Sequence, residues 1–320
     1  MQPEKLNELA DNLFAEITEW KKPADQILGA FLRANRSLNS RNRRFIQSAI
    51  YTKLRELGNC PDWLLRYMPN DYEPLLEALN KEAPTDLRVN TLRAKRETLL
   101  KEFGSENAEP TPHSPIGIRL KNRQALNLDG RYEVQDEASQ LAVLYANPQT
   151  KTRVLDYCAG AGGKTLAMAA QMNDKGKIAA HDKDKKRMKG MDKRIQRAHV
   201  NIVSTDKPSG VYDLVFVDAP CSGTGTWRRN PDLKWRFSEI DLLGFEQQQH
   251  DILEKAAKYV RPGGALVYAT CSILPIECEM QIEWFLSEQP DFEMGKPFLQ
   301  LNPVTDGTDG FFASYLVRKG

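Results

Sequence analysis

The sequence predicts an α/β protein built on a doubly wound sheet, with a helical region and a small α+β subdomain before it. Two apolar runs, residues 212–217 and 264–269, each lead into a cysteine-containing turn, and a third run, residues 153–157, ends in a glycine-rich turn. Helical patterns separate such runs, which is typical of a parallel sheet covered on both faces. We therefore divide the chain into residues 1–82 (helical), 83–146 (small α+β subdomain) and 147–320 (sheet domain).

The N-terminal region is predicted to be helical throughout. Its first helix has an apolar face formed by Leu6, Leu9, Leu13, Phe14 and Ile17. Two more helices are expected over residues 24–32 and 41–57, and Asn39 or Ser40 is the expected cap of the latter. This third helix is rich in arginine and lysine, which indicates either a solvated helix face or a surface for RNA phosphates.

The next region has the alternation of a small α+β module. Residues 87–90 and 116–120 are predicted strands, and residues 93–103 form a predicted helix between them. A proline-rich loop precedes the second strand. A further helix is expected to begin near Gln135 and to lead into the sheet domain.

The sheet domain opens with alternating strands and helices. Strands are predicted at residues 153–157, 177–180 and 201–204, and helices at residues 166–172 and 183–198. This order is one half of a doubly wound sheet. The second of these helices is basic on all its faces, which fits a solvated helix as well as a binding stripe.

A glycine-rich turn connects the first strand and helix of this half. It comprises Cys158, Ala159, Gly160, Ala161, Gly162, Gly163 and Lys164. Glycine lets a backbone turn tightly and approach a ligand, and the following helix presents free N–H groups there. Asp182 and Asp206 follow the second and third strands, where a carboxylate can bind a ribose diol. The combination predicts a nucleoside cofactor, with a dinucleotide as the alternative; the turn lacks the first glycine of a Walker A loop.

Two cysteines follow the apolar strands of the second half. Cys221 lies in the turn of residues 218–223, and Cys271 comes directly after Thr270. A helical pattern over residues 239–259 connects the two strands, and such a unit is a right-handed crossover whose strands are often neighbours. We therefore expect both thiols to open onto one cleft at the carboxyl edge of the sheet. The alternative is a pair of inert packing thiols.

A loop after Cys221 interleaves aromatic and cationic side chains. Its members are Trp227, Arg228, Arg229, Lys234, Trp235 and Arg236. Aromatic rings stack on bases while cations hold phosphates, so the pattern predicts an RNA contact. An amphipathic surface loop without a partner is the alternative.

Composition narrows the class of protein. The chain has 320 residues and a net charge of +2, so an RNA surface has to be a local patch. Five cysteines without a CxxC pair predict reduced thiols in a cytoplasm, and no metal-ligand spacing is present. The sequence contains no apolar run of membrane-spanning length, and its first twenty residues lack a signal-peptide core. We expect a cytoplasmic monomer without a metal or a membrane partner.

Three motifs carry a family resemblance. They are the glycine turn at residues 158–165, Asp-Ala-Pro-Cys-Ser-Gly-Thr-Gly at 218–225 and Tyr-Ala-Thr-Cys-Ser at 268–272. Together they resemble the RsmB/Sun/NSUN family of RNA cytosine-C5 methyltransferases, over roughly residues 85–320. Residues 42–45 are similar to part of the NusB-like extension of bacterial RsmB, in a shortened form. The family usually has a proline in the turn where this chain has Gly160-Ala161.

The resemblance implies a Rossmann-like class I methyltransferase fold that binds S-adenosylmethionine, preceded by an RRM-like subdomain. Residues 158–164 would hold the methionine part of this cofactor. Asp182 would hold its ribose, and Asp206 its adenine region.

The resemblance also implies roles in catalysis. Cys271 would add to C6 of a cytosine, and Cys221 would assist release of the product. Asp218 would meet the cofactor amine or the pyrimidine edge, and as a hydrogen-bond donor to N3 it would need a raised pKa. Lys164 would assist electrostatically.

The implied activity is S-adenosylmethionine-dependent methylation of cytosine C5 in RNA, with small-subunit (16S) ribosomal RNA as the substrate. Two alternatives are a tRNA cytosine-C5 methyltransferase and a non-catalytic RNA-binding or ribosome-assembly factor of the same fold. The presence of both Cys221 and Cys271 argues against the non-catalytic alternative.

Overall fold

The N-terminal region is all-helical in the computed structural model, which describes residues 2–58, 60–122, 124–205 and 207–320. Its helices are α1 (Pro3–Ile17), α2 (Ala24–Ala34), α3 (Ser40–Glu56), α4 (Asp62–Leu65) and α5 (Tyr72–Leu79). The three predicted helices are confirmed as α1, α2 and α3, which bury Ile17, Ile46 and Ile50 in a shared core. The predicted cap of α3 is Asn39, whose side chain accepts a hydrogen bond from the Asn42 N–H at 2.9 Å.

A four-stranded antiparallel sheet follows. Its elements are β1 (Thr85–Val89), α6 (Arg96–Phe103), β2 (Ala108–Pro110), β3 (Gly117–Leu120) and β4 (Tyr132–Val134), with strand order β2-β3-β1-β4. The strands predicted at 87–90 and 116–120 are confirmed as β1 and β3. The predicted helix is shorter at its start, because residues 91–93 form a turn. The sequence analysis missed β2 and β4, which have three residues each.

Within the described residues, the large sheet has seven strands and lies between two layers of helices. Its elements are α7 (Glu137–Ala146), β5 (Arg153–Asp156), α8 (Gly163–Gln171), β6 (Lys177–Ala180), α9 (Met191–Ala198), β7 (Val203–Ser204), β8 (Tyr212–Asp218), α10 (Glu239–Ala257), β9 (Val260–Thr270), α11 (Glu279–Glu288), β10 (Phe292–Leu301) and β11 (Phe311–Arg318). The strand order is β10-β11-β9-β8-β5-β6-β7. Strands β5 to β9 pair in parallel, whereas β11 lies antiparallel between β9 and β10. The predicted fold class is confirmed.

The central strands are apolar because both faces of the sheet are covered. In β8, Val215 and Val217 pack into the core on one face and Phe216 packs into the core on the other, all with no exposed surface. In β9, Leu266 and Val267 divide in the same way between the two cores. A strand buried on both faces carries a continuous apolar run, and this is why these runs predicted a parallel sheet.

The basic helix predicted at residues 183–198 is half as long as expected. The helix α9 begins only at Met191, and residues 185–190 form turns before it. Gly190 precedes the helix with a φ of +92°, a left-handed conformation that favours glycine. Residues 183–190 are mostly charged and lack the repeating apolar face that holds a helix to the sheet, so the prediction was wrong for this half.

The predicted crossover places the two cysteine-containing turns at one edge of the sheet. Strands β8 and β9 are parallel neighbours, and Asp218 at the end of β8 pairs with Ala269. Helix α10 connects the two strands and begins with a capping box between Ser238 and Asp241. Within the described residues, no helix combines the length and the apolar character that a membrane span requires.

Candidate active site

Two sulfur atoms lie next to each other where β8 and β9 end. The Sγ atoms of Cys221 and Cys271 are 3.5 Å apart, and both side chains are only partly buried. The intervening turn is held to the neighbouring loop because the Gly225 N–H donates to the carbonyl of Cys271 at 3.0 Å. A Cβ at Gly225 would lie 2.2 Å from the carbonyl oxygen of Gly310, so only glycine fits there. The predicted adjacency of the two thiols is present.

The surroundings of the Cys221 thiol shift its pKa. The pKa of Cys221 is raised well above its ordinary value, first by the hydrogen bond with the Cys271 sulfur and then by burial and by the charge of Cys271. The backbone N–H of Gly223 acts in the opposite direction. Cys221 is therefore a protonated thiol at neutral pH, with its hydrogen available to the neighbouring sulfur.

A largely buried lysine pairs with Asp218 at the same edge of the sheet. Lys164 Nζ donates to Asp218 Oδ2 at 2.7 Å and lies 5.2 Å from the centre of the Phe311 ring. Burial lowers the pKa of Lys164, but the charge of Asp218 and the bond to it outweigh burial, so the net shift is upward. Lys164 is therefore the proton-bearing member of this pair. In this geometry Asp218 Oδ2 is the acceptor of the Lys164 hydrogen bond.

The glycine-rich turn joins β5 to α8 as predicted. Gly160 and Gly162 have φ values of +50° and +84°. A Cβ at Gly162 would lie 3.0 Å from the Cγ of Met191, so glycine provides both the backbone conformation and the room. The carbonyl of Ala161 accepts a hydrogen bond from Arg194 at 2.7 Å, which fixes the turn without the proline common in the family.

Two cavities adjoin this turn and share Cys158 and Arg187 in their walls. The smaller, of about 160 Å³, is lined by Gln135, Asp156, Cys158, Ala159, Gly160, Ala161, Gly163, Lys164, Arg187 and Asp218. The larger, of about 480 Å³, is lined mainly by Tyr157, His181, Asp182, Pro220 and residues of α10. The smaller cavity has mainly polar walls beside the Lys164–Asp218 pair, and the larger has mixed walls beside the second strand. This division suits a ligand with an amino-acid part and a nucleoside part.

Asp156 supports this fit and was missed in the sequence analysis. Its Oδ2 accepts from the Thr165 hydroxyl at 2.6 Å, whereas its buried Oδ1 has no partner. Burial raises the pKa of Asp156 to about 7 despite the bond from Thr165. An unpaired buried oxygen in the cavity wall needs a donor, and an ammonium group would supply one. Its position at the end of a strand, two residues before the glycine turn, was the available signal.

Asp182 lies at the end of β6, as predicted, but its carboxylate is nearly buried. Oδ2 accepts from the Gly160 N–H and Oδ1 from the Asp184 N–H, each at 2.9 Å. Arg187 lies 3.5 Å from Oδ2. Each carboxylate oxygen can accept a second hydrogen bond, so binding of a ribose is compatible with these contacts. Asp206, the predicted adenine contact, lies outside the described residues.

The structure contradicts the predicted RNA contact of Trp227 and Lys234. Each residue is only 1% exposed. Trp227 packs in an apolar core with helices α4 and α5, and Lys234 donates to the carbonyl of Gly58 and to Asn80. These alternating aromatic and cationic residues thus lie in a buried interface between the N-terminal helices and the sheet domain, and not on an open surface.

The three arginines of the same loop also bind other parts of the chain. Arg228 donates to the carbonyls of residues 307 and 308, and Arg236 lies 3.5 Å from Asp232. Arg229 pairs with Asp136 and with Asp309. These contacts give the loop a structural role, and RNA contact by its arginines has no support in this geometry.

The comparisons with known proteins agree with this architecture. Residues 143–317 match the family model of the 16S rRNA methyltransferase RsmB/F, and residues 60–127 match the ferredoxin-like domain of RsmF/B-like methyltransferases. The ribosomal RNA small subunit methyltransferase B of Vibrio cholerae is 33% identical over 287 residues, which cover 81% of this chain and 65% of that protein. That of Photorhabdus laumondii is 34% identical over 289 residues, covering 81% and 66%.

Among solved structures, PH0851 has a TM-score of 0.77 at 29% identity, covering 92% of this chain and 75% of that chain. A methyltransferase homolog protein from Pyrococcus horikoshii has a TM-score of 0.71 at 27% identity, covering 83% and 97%. Fold and site thus define a Rossmann-like domain of the methyltransferase type with a thiol pair at its carboxyl edge. The chain belongs to the RsmB/F family of 16S rRNA methyltransferases. It spans about two thirds of the length of the curated relatives named above.

Proposed function

We propose that this chain transfers a methyl group from S-adenosylmethionine to C5 of a cytosine in small-subunit ribosomal RNA. The observation that carries the proposal is the pair of sulfur atoms 3.5 Å apart, beside the Lys164–Asp218 ion pair and the cavities of the glycine turn. A binding protein has no need for two adjacent, partly exposed thiols next to a nucleoside-sized cleft. The ribosomal RNA substrate is inferred from the names of the relatives.

Residues around the two cavities would hold the cofactor. The glycine turn and Asp156 would bind its amino-acid part, and Asp182 its ribose. When bound there, S-adenosylmethionine supplies an electrophilic methyl group. The turn brings the backbone close to the ligand, and Pro220 and the side chains of α10 close the nucleoside end against water.

Cys271 is the proposed nucleophile. As a thiolate it uses a sulfur electron pair to form a bond to C6 of the cytosine. The electrons of the C5–C6 double bond move towards C4 and N3, which makes C5 a nucleophilic enamine carbon that can take up the methyl group. The Lys164 ammonium, held by Asp218, stabilises the charge that develops on the N3 edge.

Cys221 is the proposed acid and base of product release. It gives its proton to the departing Cys271 sulfur as the S–C6 bond breaks, and it takes up the proton of C5 as the C5–C6 double bond re-forms. The proton count of Cys221 is unchanged, and one proton leaves to solvent when Cys271 ionises again. A contact of 3.5 Å between the sulfurs supports this exchange.

The three parts of the chain would have different roles. We propose boundaries at residues 1–82, 83–146 and 147–320, in which the sheet domain performs the chemistry and the small sheet contacts RNA. The protein would act as a monomer in the cytoplasm, where reducing conditions keep the thiols free.

The test is methyl transfer from labelled S-adenosylmethionine to purified RNA. Unmodified 16S rRNA, the small ribosomal subunit assembled from it and bulk tRNA are offered in parallel, and labelled nucleosides are identified after digestion. The proposal predicts 5-methylcytidine in ribosomal RNA. Labelling of tRNA alone would change the substrate, and the absence of labelled nucleoside with all three RNAs would leave a non-catalytic RNA-binding factor. Cys271→Ala protein is the blank.

A further inference from the structure

A buried glutamate lies behind the sulfur pair. Glu277 ends the short 3₁₀ turn Pro275–Glu277 between β9 and α11 and has no exposed surface. A buried carboxylate is costly unless hydrogen bonds or a cation compensate it. In the described part of the chain, the hydrogen-bond donors to its side chain are neutral.

The carboxylate of Glu277 is bonded to both cysteine segments at once. Oε1 accepts from the backbone N–H of Ser222 at 2.8 Å, and Oε2 accepts from the Ser222 hydroxyl at 2.5 Å and from the Ser272 hydroxyl at 2.6 Å. Ser222 directly follows Cys221, and Ser272 directly follows Cys271. One rigid, planar group therefore connects the two residues that adjoin the two sulfurs.

Other contacts make this connection stiff. Gln249 on α10 donates to Glu277 Oε1 at 3.1 Å and to the carbonyl of Pro220 at 2.9 Å. Thr224 lies 3.0 Å from the Ser272 hydroxyl and accepts from the backbone N–H of residue 273 at 3.1 Å. The network thus ties the turn after β8, the turn after β9 and α10 to one another through Glu277.

We propose that Glu277 is a positioning residue whose carboxylate holds the segments Cys221-Ser222 and Cys271-Ser272 together and thereby fixes the separation of the two sulfur atoms. The catalytic importance of this distance rests on the proposed methyl transfer. The claim that Glu277 fixes the distance does not rest on it. Glu277 touches neither sulfur directly; it acts through Ser222 and Ser272, which are hydrogen-bonded to the carboxylate.

The separation can be measured by disulfide formation, without RNA or cofactor. A diazene oxidant takes up two electrons and two protons from the two thiols and becomes a hydrazine, while a Cys221–Cys271 bond forms. Mass spectrometry of the digested protein follows this one disulfide against time, and Cys271→Ser protein is the blank. Its rate, measured at several pH values to allow for the thiolate fraction, reports how often the sulfurs meet, because two thiols held in contact react at a high effective concentration.

Three variants and one control distinguish an effect on the positions of the two sulfurs from an effect of the Glu277 charge. Glu277→Ala removes the carboxylate, and Glu277→Asp shortens it by one methylene so that it cannot reach both serines. Glu277→Gln keeps the length of the side chain. It can still bond to both serines, because a serine hydroxyl can accept a hydrogen bond from the amide as well as donate one to its oxygen. Glu283→Ala removes an exposed glutamate of α11 and is the matched control.

We expect disulfide formation to slow by about tenfold or more in Glu277→Ala and Glu277→Asp, and to stay within about threefold of the parent in Glu277→Gln and Glu283→Ala. Circular dichroism checks the fold of each variant; if the alanine protein does not fold, the Asp and Gln pair decides. A Glu277→Asp protein as fast as the parent, or a Glu277→Gln protein as slow as the alanine variant, overturns the proposal. Methyl transfer is assayed separately. An inactive parent protein would refute the proposed methyl transfer, and the disulfide-formation rates would still test the positioning role of Glu277.

Discussion

Arg229 provides a sharp test of the buried role that replaces its predicted RNA contact. Its Nη2 lies 2.7 Å from Asp136 Oδ2, its Nε contacts Asp309 Oδ2, and its Nη1 donates to the carbonyl of Pro84 at 3.0 Å. The side chains of Asp136 and Asp309 are 11% and 4% exposed. Arg229→Ala would leave two carboxylates largely buried without their cation, which costs about 3–5 kcal/mol at pH 8.

The cost should depend on pH in a definite direction. Burial is the main reason that the pKa of Asp309 is raised to about 6, and the Arg229 guanidinium limits this rise. A carboxyl group whose pKa is higher in the folded than in the unfolded state destabilises the fold at pH values above its folded-state pKa. This destabilisation disappears at pH values below its unfolded-state pKa. Without Arg229 the pKa of Asp309 rises further, and each unit corresponds to ~1.4 kcal/mol. Protonation at pH 5 should therefore restore at least ~1 kcal/mol to the variant.

Thermal unfolding followed by circular dichroism at pH 8 and pH 5 measures both effects. We expect Arg229→Ala to lower the melting temperature by roughly 6–10 °C at pH 8 and by clearly less at pH 5. The matched control is Arg66→Ala, which removes a surface pair with Glu239 whose side chains are 65% and 37% exposed, worth less than about 1 kcal/mol. Equal losses for Arg229→Ala at both pH values would refute the reasoning. Unchanged stability with weakened RNA binding would restore the RNA contact.

The remaining predictions concern the proposed chemistry. Cys271→Ser should abolish methyl transfer while calorimetric titration still shows cofactor binding; normal turnover would remove Cys271 as the nucleophile. Cys221→Ala should accumulate a covalent protein–RNA adduct on a denaturing gel, and full activity without an adduct would exclude Cys221 from release. Asp182→Asn should weaken S-adenosylmethionine binding about tenfold, or ~1.4 kcal/mol, because an amide N–H would replace an acceptor; an unchanged affinity would contradict the ribose assignment.

Much of the sheet domain could be predicted because its strands are buried on both faces. The runs around Val215 and Leu266 have the continuous apolar character of central parallel strands, and the helix between them made their adjacency a consequence of chain topology. From adjacency alone, Cys221 and Cys271 could be placed together. The glycine turn was found for a similar reason, since positive φ at Gly160 and Gly162 requires the residue that the sequence supplies.

The wrong RNA-contact prediction and the missed glutamate have a different cause: contacts with distant parts of the chain decide whether these side chains are buried. The interleaved aromatics and cations near Trp227 look the same in sequence whether they face solvent or a neighbouring helix. Lys234 is buried only because Gly58 and Asn80, far away in the chain, offer oxygen atoms to it. Glu277 was missed because the sequence around it only weakly distinguishes a buried acid from a solvated one. Its one signal is a charged residue placed between Ile276 and Cys278, in an otherwise apolar stretch.

The C-terminal hairpin gives the site an order of assembly during synthesis. Strand β11 pairs with β9, Phe311 underlies the Lys164 ammonium, and the backbone N–H of Gly310 donates to the carbonyl of Gly225 at 2.9 Å. Gly310, Phe311 and the rest of β11 emerge from the ribosome after both cysteines. Until they arrive, β9 has an unpaired edge and the turn next to Cys221 lacks one of its supports. A nascent chain would therefore carry both sulfurs before the contacts that hold their turns are complete.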